Sequence, residues 1–282
     1  MSVKKVLVIR FRRIGDAVLS VVICSSIRKS FPEAEIHYVL NDHIAPLFEN
    51  HPDIDKIITF SDEENNHFFK YLRKVRQLMK TERYDVIIDT RATIKTLWFS
   101  AFSLRTKYRI GTSKFYNHFF HNYRVRNHVN DDLDEVVRNL LLLRPLERER
   151  KLIMTTDFRL YVTEQETAEF KSYMEQKGIN FSRFIVVCTP FTRVAGKAWD
   201  MAKMKEILSR IIQRYGAQLI FNYSRIEKEA ALALYEDMGK DEHIFIDIEA
   251  DSLRKLVSML EIADFFFGNE GGPRHIAQAC HL

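Results

Sequence analysis

Short apolar runs alternate along this chain with longer segments in which apolar residues recur at helical spacing. That alternation is the signature of parallel sheets wound by crossover helices. The first half predicts strands at 6–10, 36–40, 56–60, 86–89 and 108–110, with helices at 15–30, 68–80, 92–104 and 132–143. Phe31-Pro32 stops the first helix, because proline removes a backbone donor and restricts the residue before it. Arg144-Pro145 and the charged run 147–151 then break the rhythm, as a linker would. The alternation restarts with strands at 184–188, 218–222, 244–247 and 265–267. The sequence stops inside the helix expected after Gly272, so the second sheet is expected to be incomplete.

A length of 282 residues, 46% hydrophobic and 29% charged, exceeds one ordinary domain and predicts two, at 1–156 and 157–282. The longest apolar stretches, 18–24 and 263–267, fall short of the ~20 residues that cross a bilayer. The first residues run into a strand without the apolar core of a signal peptide, so a soluble, cytoplasmic protein is expected. Cys24, Cys188 and Cys280 are too few and too scattered for a disulfide framework or a CxxC site, and read as buried thiols. The net charge of +5 points to an anionic partner. Its distribution is sharper than its size: no acid falls between Thr90 and Asn130, while Arg91, Lys95, Arg105, Lys107, Arg109, Lys114, Arg124 and Arg126 all do.

Doubly wound sheets bind ligands beyond the carboxyl ends of their strands, so four loops are searched first. In Arg10-Phe11-Arg12-Arg13-Ile14-Gly15-Asp16 a carboxylate falls on the first helical turn beside a glycine. Asp16 is a candidate general base there, against the plainer role of an aspartate that complements the helix dipole. The loop from Thr189 to Trp199 is polar and cationic, with Thr192, Arg193 and Lys197 suited to a diphosphate, or else merely solvated above a core Trp199. Ser224-x-x-Glu227 is a capping box, or a pair whose Glu227 holds ribose hydroxyls. In Asn269-Glu270-Gly271-Gly272-Pro273-Arg274-His275 glycines and an early proline leave helix amides open to an anion. His275 alone reads as an ordinary helix residue. No G-x-G-x-x-G follows the first strand, which disfavours a dehydrogenase.

Taken together, these loops resemble the family 9 glycosyltransferases, the ADP-heptose:lipopolysaccharide heptosyltransferases. The resemblance rests on Val6-Leu7-Val8-Ile9-Arg10 leading to Gly15-Asp16, on Phe31-Pro32-Glu33-Ala34-Glu35-Ile36, on Ala45-Pro46-Leu47 through Pro52-Asp53-Ile54-Asp55, and on Gly272-Pro273-x-His275. It spans nearly the whole chain, with two departures: the family's Asp-Thr/Ser-Gly-Pro stands here as Glu270-Gly271-Gly272-Pro273, and the C-terminal helix expected to return to the first domain is absent from the sequence.

The resemblance implies an α/β chain of GT-B type, with two Rossmann-like doubly wound domains facing a cleft. The first would bind acceptor and the second ADP-heptose. It implies inverting transfer with Asp16 as base, and donor contacts from Thr192, Arg193, Lys197, Glu227, Glu270, Gly271, Gly272 and His275. Neither a cofactor nor a metal is expected, since Asp53-Ile54-Asp55 and Asp132-Leu133-Asp134 read as structural turns. Arg12, Arg13, Arg124 and Arg126 are the acceptor candidates, for an anionic lipopolysaccharide inner core at the cytoplasmic face of the inner membrane. The plain alternative for the acid-free stretch is a solvated basic face with Phe115, Tyr116, Phe119, Phe120 and Tyr123 packed beneath. A noncatalytic nucleotide-sugar binder is the rival for the whole chain. Nucleic acid is not expected, because no recognised binding pattern accompanies the basic residues.

Overall fold

The structure is a computed structural model that describes residues 3–126, 133–192 and 195–282. The chain divides into two compact units, Met1–Phe158 and Arg159–Leu282, where the sequence expectation put the division after residue 156.

Unit 1 runs β1 (Lys5–Ile9), α1 (Ile14–Ser30), β2 (Glu35–Asn41), β3 (Lys56–Phe60), α2 (Asp62–Asn66), α3 (Phe68–Glu82), β4 (Val86–Asp89), α4 (Leu97–Ala101), β5 (Tyr108–Thr112), β6 (Tyr123–Val125) and α5 (Glu135–Leu141). Its sheet has the order β3-β2-β1-β4-β5-β6 and every described pairing is parallel. Central strands of such a sheet are covered on both faces, which is why Val6, Leu7, Val8 and Ile9 are all fully buried. On α3 the residues Tyr71, Val75 and Met79 fall one turn apart and form its buried stripe. Beneath them Phe11 meets Phe60 edge-on at 5.4 Å, next to Phe99. α1 is buried on nearly all sides and packs against α5.

Three expectations need correction here. The helix at 92–104 shrinks to α4, because the Thr93 and Thr96 side chains bond neighbouring backbone groups and Ala92 turns to φ 47°. The segment at 144–151 is no free linker: Leu146 is fully buried, Glu149 binds Lys107 and Tyr108, and Arg150 donates to the Ser30 carbonyl at 2.7 Å. Phe115 and Phe119 do not pack beneath the basic stretch but stand in solvent.

Unit 2 continues with α6 (Glu164–Gln176), β7 (Ile185–Thr189), α7 (Met201–Tyr215), β8 (Gln218–Phe221), α8 (Lys228–Asp237), β9 (Ile244–Phe245), α9 (Leu253–Ile262), β10 (Phe265–Gly268) and α10 (Gly272–Ala279). Its parallel sheet has the order β10-β7-β8-β9. Met204, Leu208 and Ile212 supply the buried stripe of α7, against Val186, Leu219 and Phe221 of the sheet. Gly268 lets β10 approach β7, since a Cβ there would lie 2.1 Å from the Thr189 hydroxyl oxygen. All three cysteines are buried free thiols. Among the described residues no helix is long and apolar enough to cross a membrane.

Candidate active site

Each sheet reverses its winding at one place, and each reversal carries a cluster of the candidate residues. In unit 1 it lies between β1 and β4, the first strand of each winding direction. Arg10, just beyond β1, is buried. Its Nη2 lies 2.9 Å from Asp16 Oδ2 and 3.5 Å from Glu135 Oε1, and its Nη1 donates to the Thr90 hydroxyl at 3.3 Å. Thr90 in turn donates to the Ile9 carbonyl at 2.9 Å. Asp16 sits on the first turn of α1, where free helix amides favour a carboxylate.

The turn that delivers Asp16 is strained. Arg12 and Arg13 adopt φ 62° and 56°, a region that costs a residue with a Cβ on the order of 1–3 kcal/mol. The Asn41 carboxamide oxygen, 2.8 Å from the Arg12 amide, helps hold it. Both arginine side chains are exposed. Arg124 is exposed on the edge strand β6, opposite Gly111. Arg126 lines a small crevice with Thr90, Thr112, Glu135 and Arg138 and so stands beside two partners of Arg10.

Behind Thr90 lies a buried acid–histidine pair that no spacing in the sequence announces. Asp89 Oδ1 accepts the Arg91 and Ala92 amides at 3.2 and 2.8 Å, which shapes the turn carrying Thr90. Its other oxygen is 3.8 Å from His121 Nε2. Burial pushes the Asp89 carboxyl up to about 6 and the His121 imidazole down to about 4. Gly111 makes the room, because a Cβ there would lie 2.4 Å from the imidazole ring.

In unit 2 the winding reverses between β7 and β10. Thr192 donates to the Glu270 carbonyl at 3.2 Å, and Lys197 Nζ lies 2.7 Å from Glu270 Oε2, which holds that carboxyl below its usual range. Gly271 and Gly272 follow directly and open α10, whose Pro273 occupies the first turn. His275 lies on α10 with Nδ1 3.1 Å from Gln278 Oε1. Arg193 lies outside the described residues. Glu227 completes the capping box, accepting the Ser224 amide and hydroxyl at 2.8 and 2.6 Å, in the loop after β8.

Asn269 is the organiser that sequence reasoning passed over. Buried, it accepts the Trp199 amide at 2.8 Å, donates to the Pro190 carbonyl at 2.7 Å, and through its backbone to Thr189 at 2.9 Å. One side chain thereby pins both loops of the cluster. Trp199 is 42% exposed, not in the core, and meets Phe267 edge-on at 6.0 Å.

The Asp-x-Asp triplets are structural where described: Asp55 accepts the Ile36 amide at 2.6 Å and pairs with Arg28, and Asp134 caps α5 at 2.8 Å from the Val137 amide. Asp132 lies outside the described residues. Among the described residues, one group of potential metal ligands is Glu35, His37 and Glu82, but its two carboxylates already hold the Lys5 ammonium, at 3.0 Å from Glu35 and 2.5 Å from Glu82.

A family model described as glycosyltransferase family 9 (heptosyltransferase) matches residues 72–281. The chain is 24% identical over 276 residues to lipopolysaccharide heptosyltransferase 3 of Escherichia coli K12, spanning 94% of this chain and 76% of that protein. Among solved structures, a family 9 glycosyl transferase from Veillonella parvula has a TM-score of 0.85 at 16% identity, covering 99% of this chain and 78% of its own. The Escherichia coli ADP-heptose lipopolysaccharide heptosyltransferase II has a TM-score of 0.74 at 18% identity, covering 98% and 82%. These structures speak to the fold, which is of GT-B type with two Rossmann-like sheets. The chain belongs to glycosyltransferase family 9, the heptosyltransferases.

Proposed function

We propose that this glycosyltransferase moves a heptose from ADP-heptose to the inner core of lipopolysaccharide with inversion at the anomeric carbon. Unit 1 serves the acceptor and unit 2 the donor. The observation that carries the reading is Asp16, set on the first turn of α1 at the winding reversal and bound to a buried arginine. The acceptor hydroxyl attacks the anomeric carbon, Asp16 takes its proton, and the bond to the diphosphate oxygen breaks with its electron pair leaving on ADP. Lys197 and the amides around Gly271 and Gly272 neutralise the charge that grows on the leaving diphosphate. With those groups in place the reaction runs without a metal ion or cofactor. Thr192, Arg193, Glu227, Glu270 and His275 complete the donor site in this reading.

Arg12, Arg13, Arg124 and Arg126 dock the acidic groups of the acceptor. Because that acceptor is anchored in lipid, the enzyme works at the cytoplasmic face of the inner membrane. The test is ADP release from ADP-heptose with acceptor present, wild type against Asp16→Asn. Loss of release with ADP binding retained is expected; a variant that releases ADP at the wild-type rate would refute Asp16 as the base.

A further inference from the structure

The carboxyl rim of the unit 1 sheet exposes more large apolar side chains than a water-facing surface accounts for. Phe115 is 90% exposed, Phe69 84%, Phe119 76%, Ile94 70% and Phe68 55%. Single exposed hydrophobes are ordinary, whereas a group of them on one rim marks an interaction surface. These come from two loops and the first turn of α3, which are tied together. The Tyr116 hydroxyl donates to the Ala92 carbonyl at 2.9 Å, Lys95 Nζ to the Asn65 carbonyl at 2.6 Å, and Phe68 packs edge-on to Trp98 at 6.2 Å. The first links the loop of Phe115 and Phe119 to that of Ile94, and the others link that loop to Phe68 and Phe69.

The charges on the same loops choose among occupants. Arg91 and Lys114 are exposed and make no ion pair among the described residues, although Arg91 Nη1 donates to the Phe11 carbonyl at 3.4 Å. On α2, Glu63 and Glu64 are already paired with Lys70 and Lys74, while Asp62 is exposed. Protruding aromatics between unpaired cations match a boundary that is apolar below and negative at its surface. A protein partner or a second copy would instead call for a flat, buried apolar centre with the charges at its rim.

We propose that this rim is a docking surface for an anionic phospholipid bilayer, with Phe115 and Phe119 entering the headgroup region and Lys114 and Arg91 held against the lipid phosphates. The inference deepens the membrane contact stated above and does not depend on Asp16.

The test is co-sedimentation of the full chain with phosphatidylcholine vesicles, with and without phosphatidylglycerol, at low and high salt. Wild type should bind only the anionic vesicles, and more weakly as salt rises. Phe115→Ser/Phe119→Ser should weaken that binding roughly tenfold or more, and Lys114→Glu about fivefold. Thermal unfolding of each variant should match wild type, since these side chains are in solvent, and the rate on a lipid-free acceptor should be unchanged. Equal vesicle binding by wild type and the double variant would overturn the proposal, as would no binding to anionic vesicles. So would a wild-type dimer in sedimentation velocity that the double variant abolishes, which would reassign the rim to self-association. Loss of the lipid-free rate in the Asp16→Asn enzyme alone concerns the transfer reading and leaves this one standing.

Discussion

Arg10 and Asp16 meet at 2.9 Å across the turn between β1 and α1, and the arginine is the better buried of the two. A guanidinium so enclosed has few rotamers, so it fixes where the carboxylate points. Arg10→Met should lower turnover about a hundredfold, the scale on which a misplaced reacting group costs rate. Arg10→Lys keeps the charge but not the planar fork, so its turnover should fall between the two. The readout is kcat against pH with donor KM measured alongside. Equal loss of kcat in both variants with an unchanged pH profile would show a packing role only.

Lys197 and Glu270 form the corresponding pair in unit 2, where both side chains are about half exposed. An ion pair in that setting is weak, on the order of 1 kcal/mol or less. It therefore gives way readily to a diphosphate. Lys197→Ala should cost roughly a hundredfold or more in kcat/KM for the donor. Glu270→Gln removes a negative charge beside the proposed diphosphate site and should bind ADP at least as tightly as wild type. Calorimetric titration with ADP checks both, and a Glu270→Gln enzyme that no longer binds ADP would contradict this ordering.

Most strands were legible from apolar runs alone, and β3 and β4 fall where 56–60 and 86–89 were expected, but the short, polar edge strand β6 was not anticipated. The loops after β1 and β7 could be singled out because winding rules say where to look, and both lie at the winding reversals. What the sequence hides is whatever depends on close approach between distant segments. His121 looks ordinary until Gly111 is known to lie under its ring, and Asn269 is one polar residue among several until its partners at 190 and 199 are known. The solvent-facing Phe115 was hidden for the opposite reason, because hydrophobicity argues for burial and only the fold says otherwise.

The buried pair of Asp89 and His121 makes opposite demands on pH. An acid pushed up to about 6 by burial holds its proton more tightly in the folded state. Its contribution is best below the unfolded value of about 4 and worsens as pH rises through 6. His121, pushed down to about 4, favours folding increasingly as pH rises from there toward its unfolded value of about 6.5. The two effects offset each other in the intact protein. Asp89→Asn removes the first alone, so its unfolding midpoint should gain on wild type as pH climbs from about 4 to about 6. A midpoint difference independent of pH across that window would remove Asp89 as a titrating group.

Charge reversal separates the basic residues of unit 1 from one another. Arg126 shares a crevice with Thr90 and Glu135, both partners of Arg10, whereas Arg124 faces solvent from the edge of the sheet. Arg126→Glu should therefore raise acceptor KM more than Arg124→Glu, with donor KM unchanged in both. Added salt should narrow the gap, because exposed charges are screened within about 10 Å at moderate ionic strength. Equal acceptor KM in wild type and both variants would move the acceptor off this face.

Asn269 offers the most direct link between stability and donor binding. Asn269→Ala leaves the part-buried Trp199 amide and the buried Pro190 carbonyl without their shared partner, at a cost of roughly 1–3 kcal/mol for the carbonyl stranded away from water and less for the amide that water can reach. Both lie in the loop that carries Thr192 and Lys197, so ADP affinity should fall together with the unfolding midpoint. Asn269→Asp keeps the acceptor for Trp199 and loses the donor to Pro190. It should recover part of both properties if the side chain acts by holding the loop. Recovery of stability without recovery of ADP affinity would confine Asn269 to a role in folding.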